Sequence, residues 1–243
     1  MGRDKKNKPK EPGFSNPAHP QCRVGKPGLL WLEFLFLFIA LPLALWQVAV
    51  RATTIRMPVL PCLWLAAAVA TVWLVRKRGW TRRTFFGFDG VTRGDWLKLG
   101  LRVLAGALLL GAALWWLMPF ALLKFPLERT RFWVIVVLAY PLVSVVPQGI
   151  VYRALFFERY APLFGRFACV VAPVVFSLGH IVFNNPHALV LTLIGGVIFT
   201  WQYRKTGSLM FANTEHALLG NLAFSVGWGM YLHGGTMALR GGN

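Results

Sequence analysis

The chain has 243 residues, 56% of them hydrophobic and only 14% charged, with a mean hydropathy of +0.56. A soluble domain carries about a quarter charged residues, so this composition argues against an ordinary cytosolic enzyme. There are 26 Lys and Arg against 8 Asp and Glu, a formal charge of +18, and Cys22, Cys62 and Cys169 form no Cys-x-x-Cys pair, hence neither a disulfide framework nor a zinc knuckle.

The first 27 residues hold Lys5, Lys6, Lys8 and Lys10 among Pro9, Pro12, Pro17 and Pro20, with almost nothing to bury. They read as a disordered basic tail. A cleaved signal peptide is disfavoured, because the apolar run that follows is longer than the roughly 7–15 residues of a signal core. A membrane-spanning helix needs about 20 mostly apolar residues. Such runs are expected over Gly28 to Val50, Met57 to Val75, and Val103 to Leu123. A fourth starts at Phe132, runs to about Pro147 and continues as helix to Tyr160. Three more cover Phe167 to Phe183, His187 to Tyr203, and Ser208 to Leu232. Tyr152 to Gly165 and Phe85 to Trp96 are candidate interfacial pieces. The expected fold is an all-α polytopic transmembrane bundle of about seven spans (six to eight), one domain over 28–243 with a motif-bearing core over about 132–232. No internal repeat of the kind that a transporter would carry is visible.

Charge orients the bundle. A cytoplasmic N-terminus puts 20 of the 26 bases inside: the tail, the stretch from Arg76 to Arg102, Arg153, Arg159, Arg166, Arg204 and Lys205. The positive-inside rule therefore favours a cytoplasmic N-terminus in an inner membrane. Most of the +18 is topogenic, with contact to anionic lipids as a by-product. Nucleic acid is not an expected partner, since no basic face is interleaved with exposed aromatics.

Ionisable side chains at membrane depth cost at least about 2.5–3.5 kcal/mol, so each needs a partner, a watery cavity or a task. Glu33 lies near a span end, within reach of headgroups. The set that calls for explanation is Gln148 with Arg153, His180 with Asn184, and Glu215 with His216 and Asn221. They fall on the fourth, fifth and seventh spans, and three helices can bring them to one cavity. Residues four apart share a helix face, which stacks Phe176, His180 and Asn184. Glu215 and His216 are adjacent and point about 100° apart, so they do not serve one ion together. Each histidine alone is also explained as a neutral ring hydrogen-bonded in the bundle. His187 and His233 fall at span ends, His19 falls in the tail, and Gly195-Gly196 allows close helix packing.

Three runs carry a resemblance. They are Pro147-Gln148-Gly149-Ile150-Val151-Tyr152-Arg153, Phe176-Ser177-Leu178-Gly179-His180, and Glu215-His216-Ala217-Leu218-Leu219-Gly220-Asn221. In that order they resemble the CPBP family of CAAX proteases and bacteriocin-processing membrane proteins, also called the Abi family. Its pattern is Glu-Glu-x-x-x-Arg, Phe-x-x-x-His and His-x-x-x-Asn/Asp on successive helices. The likeness runs from about Pro147 to Leu232, and the stretch from Phe156 to Gly165 is similar to a subgroup whose first motif reads Pro-Gln-Glu.

The resemblance implies an endopeptidase in which a glutamate and a histidine activate water within the membrane, next to a lipidated C-terminus. By position it implies that His180 orients the water and His216 donates to the oxyanion. Asn221 would assist, Arg153 would hold the first motif, and no cofactor or metal is needed. The pattern departs at the general base. Its two glutamates fall on Gln148 and Gly149, and neither takes a proton at neutral pH. Loss of a general base removes about 10²–10⁴ in rate. The residue four after His216 is Gly220, and Asn221 is one later.

Three readings stay open. Glu215 supplies the carboxylate from another helix; or the chain is a pseudoenzyme that still binds a lipidated protein tail or regulates a membrane partner; or weak activity rests on His180 and Gln148. A two-His, one-Glu zinc set is disfavoured by the adjacency of Glu215 and His216.

Overall fold

The computed structural model describes residues 27–51 and 59–229. The tail with His19 and Cys22, the linker with Arg56, and the segment from Met230 onward with His233 and Arg240 lie outside the described residues. Among the described residues every element is helical. In chain order they are α1 Pro27–Arg51, α2 Val59–Arg78, α3 Arg82–Phe86, α4 Arg93–Leu117, α5 Lys124–Glu128, α6 over 130–164, α7 Ala168–Leu178, α8 Pro186–Thr206 and α9 Leu209–Val226.

Among the described residues four stretches are long and apolar enough to cross a membrane: Pro27–Arg51, Val59–Arg78, Arg93–Leu117 and the 54-residue Thr130–Phe183. A straight helix of that last length would reach about 80 Å at 1.5 Å per residue, against a hydrocarbon core of about 30 Å. Gly165, at φ 51°, turns the chain, and α7 packs Ala168, Ala172 and Val175 into the same core as Ile150, Leu155 and Phe156 of α6. The stretch is therefore two legs. Several polar residues of α8 and α9 are enclosed: Gln202, Asn213, Glu215 and His216 are all buried.

The third expected span is displaced. Its helix starts at Arg93, ten residues before Val103, and ends at Leu117. The reason is a capping box: Thr92 Oγ1 accepts from the Asp95 backbone N–H at 3.3 Å, and Asp95 Oδ2 accepts from the Thr92 N–H at 3.0 Å. Asp95 also pairs with Lys205, which fastens the start of α4 to the end of α8.

Within α6 the helix widens into π-turns at Pro141–Val145 and over Ile150–Tyr160. Pro141 and Pro147 supply no N–H to the ladder, and such gaps are where helices rewind. Each π-turn shifts the phase of the side chains that follow, so spacing alone no longer says which of them share a face. Phe34 and Phe38 of α1 pack edge-to-face on Phe156 of α6, with Phe38 and Phe156 wholly enclosed. Ion pairs lie beside this cluster. Arg159 Nε donates to Glu33 Oε2 at 2.9 Å, and Arg78 Nε donates to Glu158 Oε2 at 2.6 Å. Glu33 is thus tied to α6. These contacts gather the start of α1, the end of α2 and the 158–159 turn of α6.

Polarity is inverted relative to a water-soluble fold. Leu101, Leu104 and Leu108 of α4 face outward, whereas Arg153 is 2% and Glu215 0% exposed. An apolar solvent imposes that arrangement on a bundle.

Helices α7 and α8 meet where Gly196 leaves no side chain. A Cβ there would lie 3.1 Å from Pro173 Cα and 3.0 Å from the Phe176 ring. Gly196→Val is expected to cost about 1–3 kcal/mol by overpacking, seen as a lower melting temperature of the protein in detergent.

Candidate active site

A cavity of about 790 Å³ runs through the bundle, walled mainly by Leu, Val, Ile and Phe side chains of α1, α2, α4 and α6–α9. Its polar lining includes Ser144, Gln148, Tyr140, His180 and His216, with Arg102 and Thr192. Gln148, His180 and His216 were expected to converge, and they do: all three line this one space. The two histidines flank the same ring, with Phe176 4.8 Å from His180 and 5.5 Å from His216, centroid to centroid. Of the remaining expected residues, Gly149, Arg153, Glu215 and Asn221 lie behind the wall.

Arg153 organises that wall. Its Nη1 donates to Asn213 Oδ1 at 3.0 Å and its Nη2 lies 3.2 Å from His216 Nδ1. Phe199 and Phe176 present their faces to the guanidinium at 5.0 and 5.5 Å. A guanidinium only donates, so His216 Nδ1 accepts and the neutral ring carries its proton on Nε2. That nitrogen is 3.1 Å from the Tyr140 hydroxyl. Phe199 stacks on the imidazole at 4.4 Å and holds its plane.

His180 has the opposite tautomer. Its Nδ1 is 2.8 Å from the Phe176 carbonyl oxygen, which can only accept, so Nδ1 carries the proton and Nε2 the lone pair. His180 is not inside a helix, as the Phe176–His180–Asn184 stack required. Helix α7 ends at Leu178, a 3-10 turn follows over Ile181–Phe183, and Asn184 adopts φ 49°. The four-residue phase is lost at that break. Asn184 Oδ1 instead accepts from Trp46 Nε1 at 3.1 Å.

Gln148 Nε2 donates to Ser144 Oγ at 2.7 Å, while its buried Oε1 has no hydrogen-bond partner among the described residues. Next to it, Gly149 leaves room for Asn213: a Cβ at 149 would collide with Asn213 Oδ1 and come within 2.7 Å of its Cγ and Nδ2. The position where the motif resemblance calls for a carboxylate is filled from α9 by an amide that is bound to Arg153.

Glu215 faces away from the cavity. Its carboxylate pairs with Arg102 of α4, whose Nη2 also donates to Gln202 Oε1 at 3.0 Å. Asn221 Nδ2 donates to the Val137 carbonyl at 3.0 Å, tying α9 to α6. As their adjacency suggested, Glu215 and His216 serve different neighbours. Cys62 lines the cavity, and Cys169 is exposed.

Tyr140, Asn213 and Arg102 were missed in the sequence reading. The trace they left is the pair of glycines. Gly149 admits Asn213, and Gly220 admits Tyr140, whose hydroxyl would stand 2.5 Å from a Cβ at 220.

The class that this arrangement defines is an intramembrane site with one lone-pair histidine and one donor histidine facing a mostly apolar cavity. Comparison agrees. The profile of the family described as Type II CAAX prenyl endopeptidase Rce1-like matches residues 130–221, from the start of α6 into α9. That stretch is similar to the Rce1-like family, a branch of the CPBP proteins, and it contains all three motifs. Over those residues the chain is similar to CAAX-type intramembrane proteases, and its long apolar helices make it a membrane protein. No curated protein and no solved structure matches the chain.

Two substitutions test the wall of the site. Gly149→Ala forces Asn213 off Arg153, and losing a buried hydrogen bond to a charged group costs about 1.5–3 kcal/mol. The melting temperature should fall, and Gly149→Ala/Asn213→Ala should recover part of it. Arg102→Met strands the Glu215 carboxylate, an effect of about 3–5 kcal/mol. Arg102→Met/Glu215→Met should melt close to wild type.

Proposed function

We propose that the protein binds a lipidated, membrane-proximal peptide in this cavity and slowly hydrolyses one of its peptide bonds. The reading rests on the tautomer of His180. With Nδ1 committed to the Phe176 carbonyl, Nε2 is a proton acceptor on a cavity of about 790 Å³. Apolar walls of this extent suit an isoprenyl or acyl chain. A water that donates one proton toward His180 Nε2 and the other toward Gln148 Oε1 has its lone pair left for the scissile carbonyl carbon. As the C–O bond forms, Nε2 takes the proton; as the C–N bond breaks, that proton passes to the leaving amine. Glu215 has no part in this step, because Arg102 holds it outside the cavity wall.

The bases gathered at one end of the bundle support a cytoplasmic N-terminus in an inner membrane. Arg78 and Arg159 are ion-paired there, and Lys205 is joined to the start of α4. Substrate tails would then be presented from the cytoplasmic side.

A second reading, binding without cleavage, is favoured by one observation: no Asp or Glu is among the described residues lining the cavity.

The test follows prenylated and lipid-anchored C-terminal peptides by mass spectrometry with wild type, His180→Ala and Gly149→Glu/Asn213→Ala. The double variant is needed because a side chain at 149 collides with Asn213. Wild type should cut slowly, His180→Ala should lose about 10²–10⁴ of that rate, and the double variant should cut faster. Cleavage by the double variant alone would establish the binding-only reading. Peptides that neither bind nor are cut would defeat both.

A further inference from the structure

We infer that Tyr140 is the hydrogen-bond donor to the reacting carbonyl oxygen. It is the cavity end of a one-way chain that starts at Arg153. The inference rests on the proposed binding of a peptide in this cavity and adds a residue to it.

The direction of the chain follows from which atoms can donate. The Arg153 guanidinium has no acceptor, so Nη2 donates to His216 Nδ1 at 3.2 Å. The His216 proton is then on Nε2, and Nε2 donates to the Tyr140 oxygen at 3.1 Å. Having accepted, the Tyr140 hydroxyl keeps its own proton to give, and it has no other hydrogen-bond partner among the described residues. Each donor polarises the next, which strengthens the last one. The positive charge at the head of the chain is buried among aromatic rings, the His216 imidazole and the Asn213 amide, out of reach of solvent screening.

Position agrees with direction. Tyr140 lines the same cavity as His180, whose Nε2 accepts. A carbonyl group there meets a donor and an attacking water meets an acceptor, the two polarities that peptide hydrolysis needs. Gly220 makes the placement possible. A Cβ at 220 would fall 2.5 Å from the Tyr140 oxygen and 2.5 Å from ring atom Cε1, so any side chain at that position and the Tyr140 ring exclude each other. Phe224, one turn further along α9, packs edge-on against the ring at 5.1 Å. His216 is thereby a positioning residue: it hands its donor capacity to Tyr140.

The test uses the full-length protein in detergent and two probes, an S-farnesylated C-terminal peptide and its analogue with a phosphinic acid in place of the peptide bond after the lipidated cysteine. The phosphinate presents anionic oxygens where the carbonyl oxygen develops charge. Wild type should bind the phosphinate more tightly than the amide. Tyr140→Phe, which keeps the ring against Gly220, should weaken the phosphinate by about tenfold to a hundredfold and leave the amide within about threefold. Tyr140→Ala/Gly220→Asn, which returns an amide donor from α9, should regain part of the preference. Equal affinities for both probes in wild type, or an unchanged ratio in Tyr140→Phe, would overturn the role of Tyr140 alone. Failure of wild type to bind either probe would overturn the substrate reading together with it.

Discussion

Arg153 is a guanidinium enclosed in a bundle whose solvent is lipid, and none of its hydrogen-bond partners is a carboxylate. Such a charge is costly at membrane depth, and the structure offsets that cost with two neutral acceptors and two aromatic faces. Those four partners come from α7, α8 and α9, while Arg153 itself is on α6. One side chain thus fastens the four helices that build the site. It also sets the tautomer, because a donor-only neighbour at Nδ1 places the His216 proton on Nε2. His180, against a carbonyl, is forced the other way. The division of labour between two histidines is therefore written by their neighbours, a carbonyl in one case and a guanidinium in the other.

The glycines of the motifs take their meaning from this arrangement. Gly149 and Gly220 lack side chains at positions where the CPBP pattern carries polar ones, and in both places a polar group from a different helix occupies the space. Asn213 fills the first and Tyr140 the second. The exchange is not symmetrical in effect. Tyr140 brings a hydroxyl to the cavity, whereas Asn213 brings an amide that is spent on Arg153. The donor side of the site is thus supplied by a substitute, and the acceptor side is left to His180 and Gln148. Glu215, the carboxylate nearest to hand in sequence, cannot make up the difference because its helix phase directs it to Arg102.

Outside the site, ion pairs do the work of fastening ends. Glu33 with Arg159, Arg78 with Glu158, and Asp95 with Lys205 each join elements far apart in sequence at the charged margin of the bundle. Buried Phe and Leu then fill the layers between. Polar contacts at the margins and aromatic packing at depth are what a bundle in lipid has available, since apolar burial alone drives little association there.

Composition and apolar run length were enough to establish an all-helical membrane protein, because the demand for about 20 apolar residues per span is one-dimensional and leaves a direct trace. The order of the three motifs likewise pointed to the family whose profile matches residues 130–221, and the cavity that it led one to expect is lined by Gln148, His180 and His216. The start of α4 was misplaced by ten residues, although the Thr92–Asp95 box was there to be read. The stacking of Asn184 under His180 failed because a helix was extended past its end at Leu178, whereas the two legs of Thr130–Phe183 were expected as separate apolar runs, with Gly165 at the turn between them. Tyr140 and Asn213 were legible only as gaps, since a glycine in sequence says that something comes close but not what. Hydrophobic length and motif order are local properties that the chain carries by itself. Which nitrogen of His216 holds the proton, which carboxylate is spent, and whose side chain fills a glycine's place depend on neighbours more than 60 residues away, and only the packed bundle supplies those.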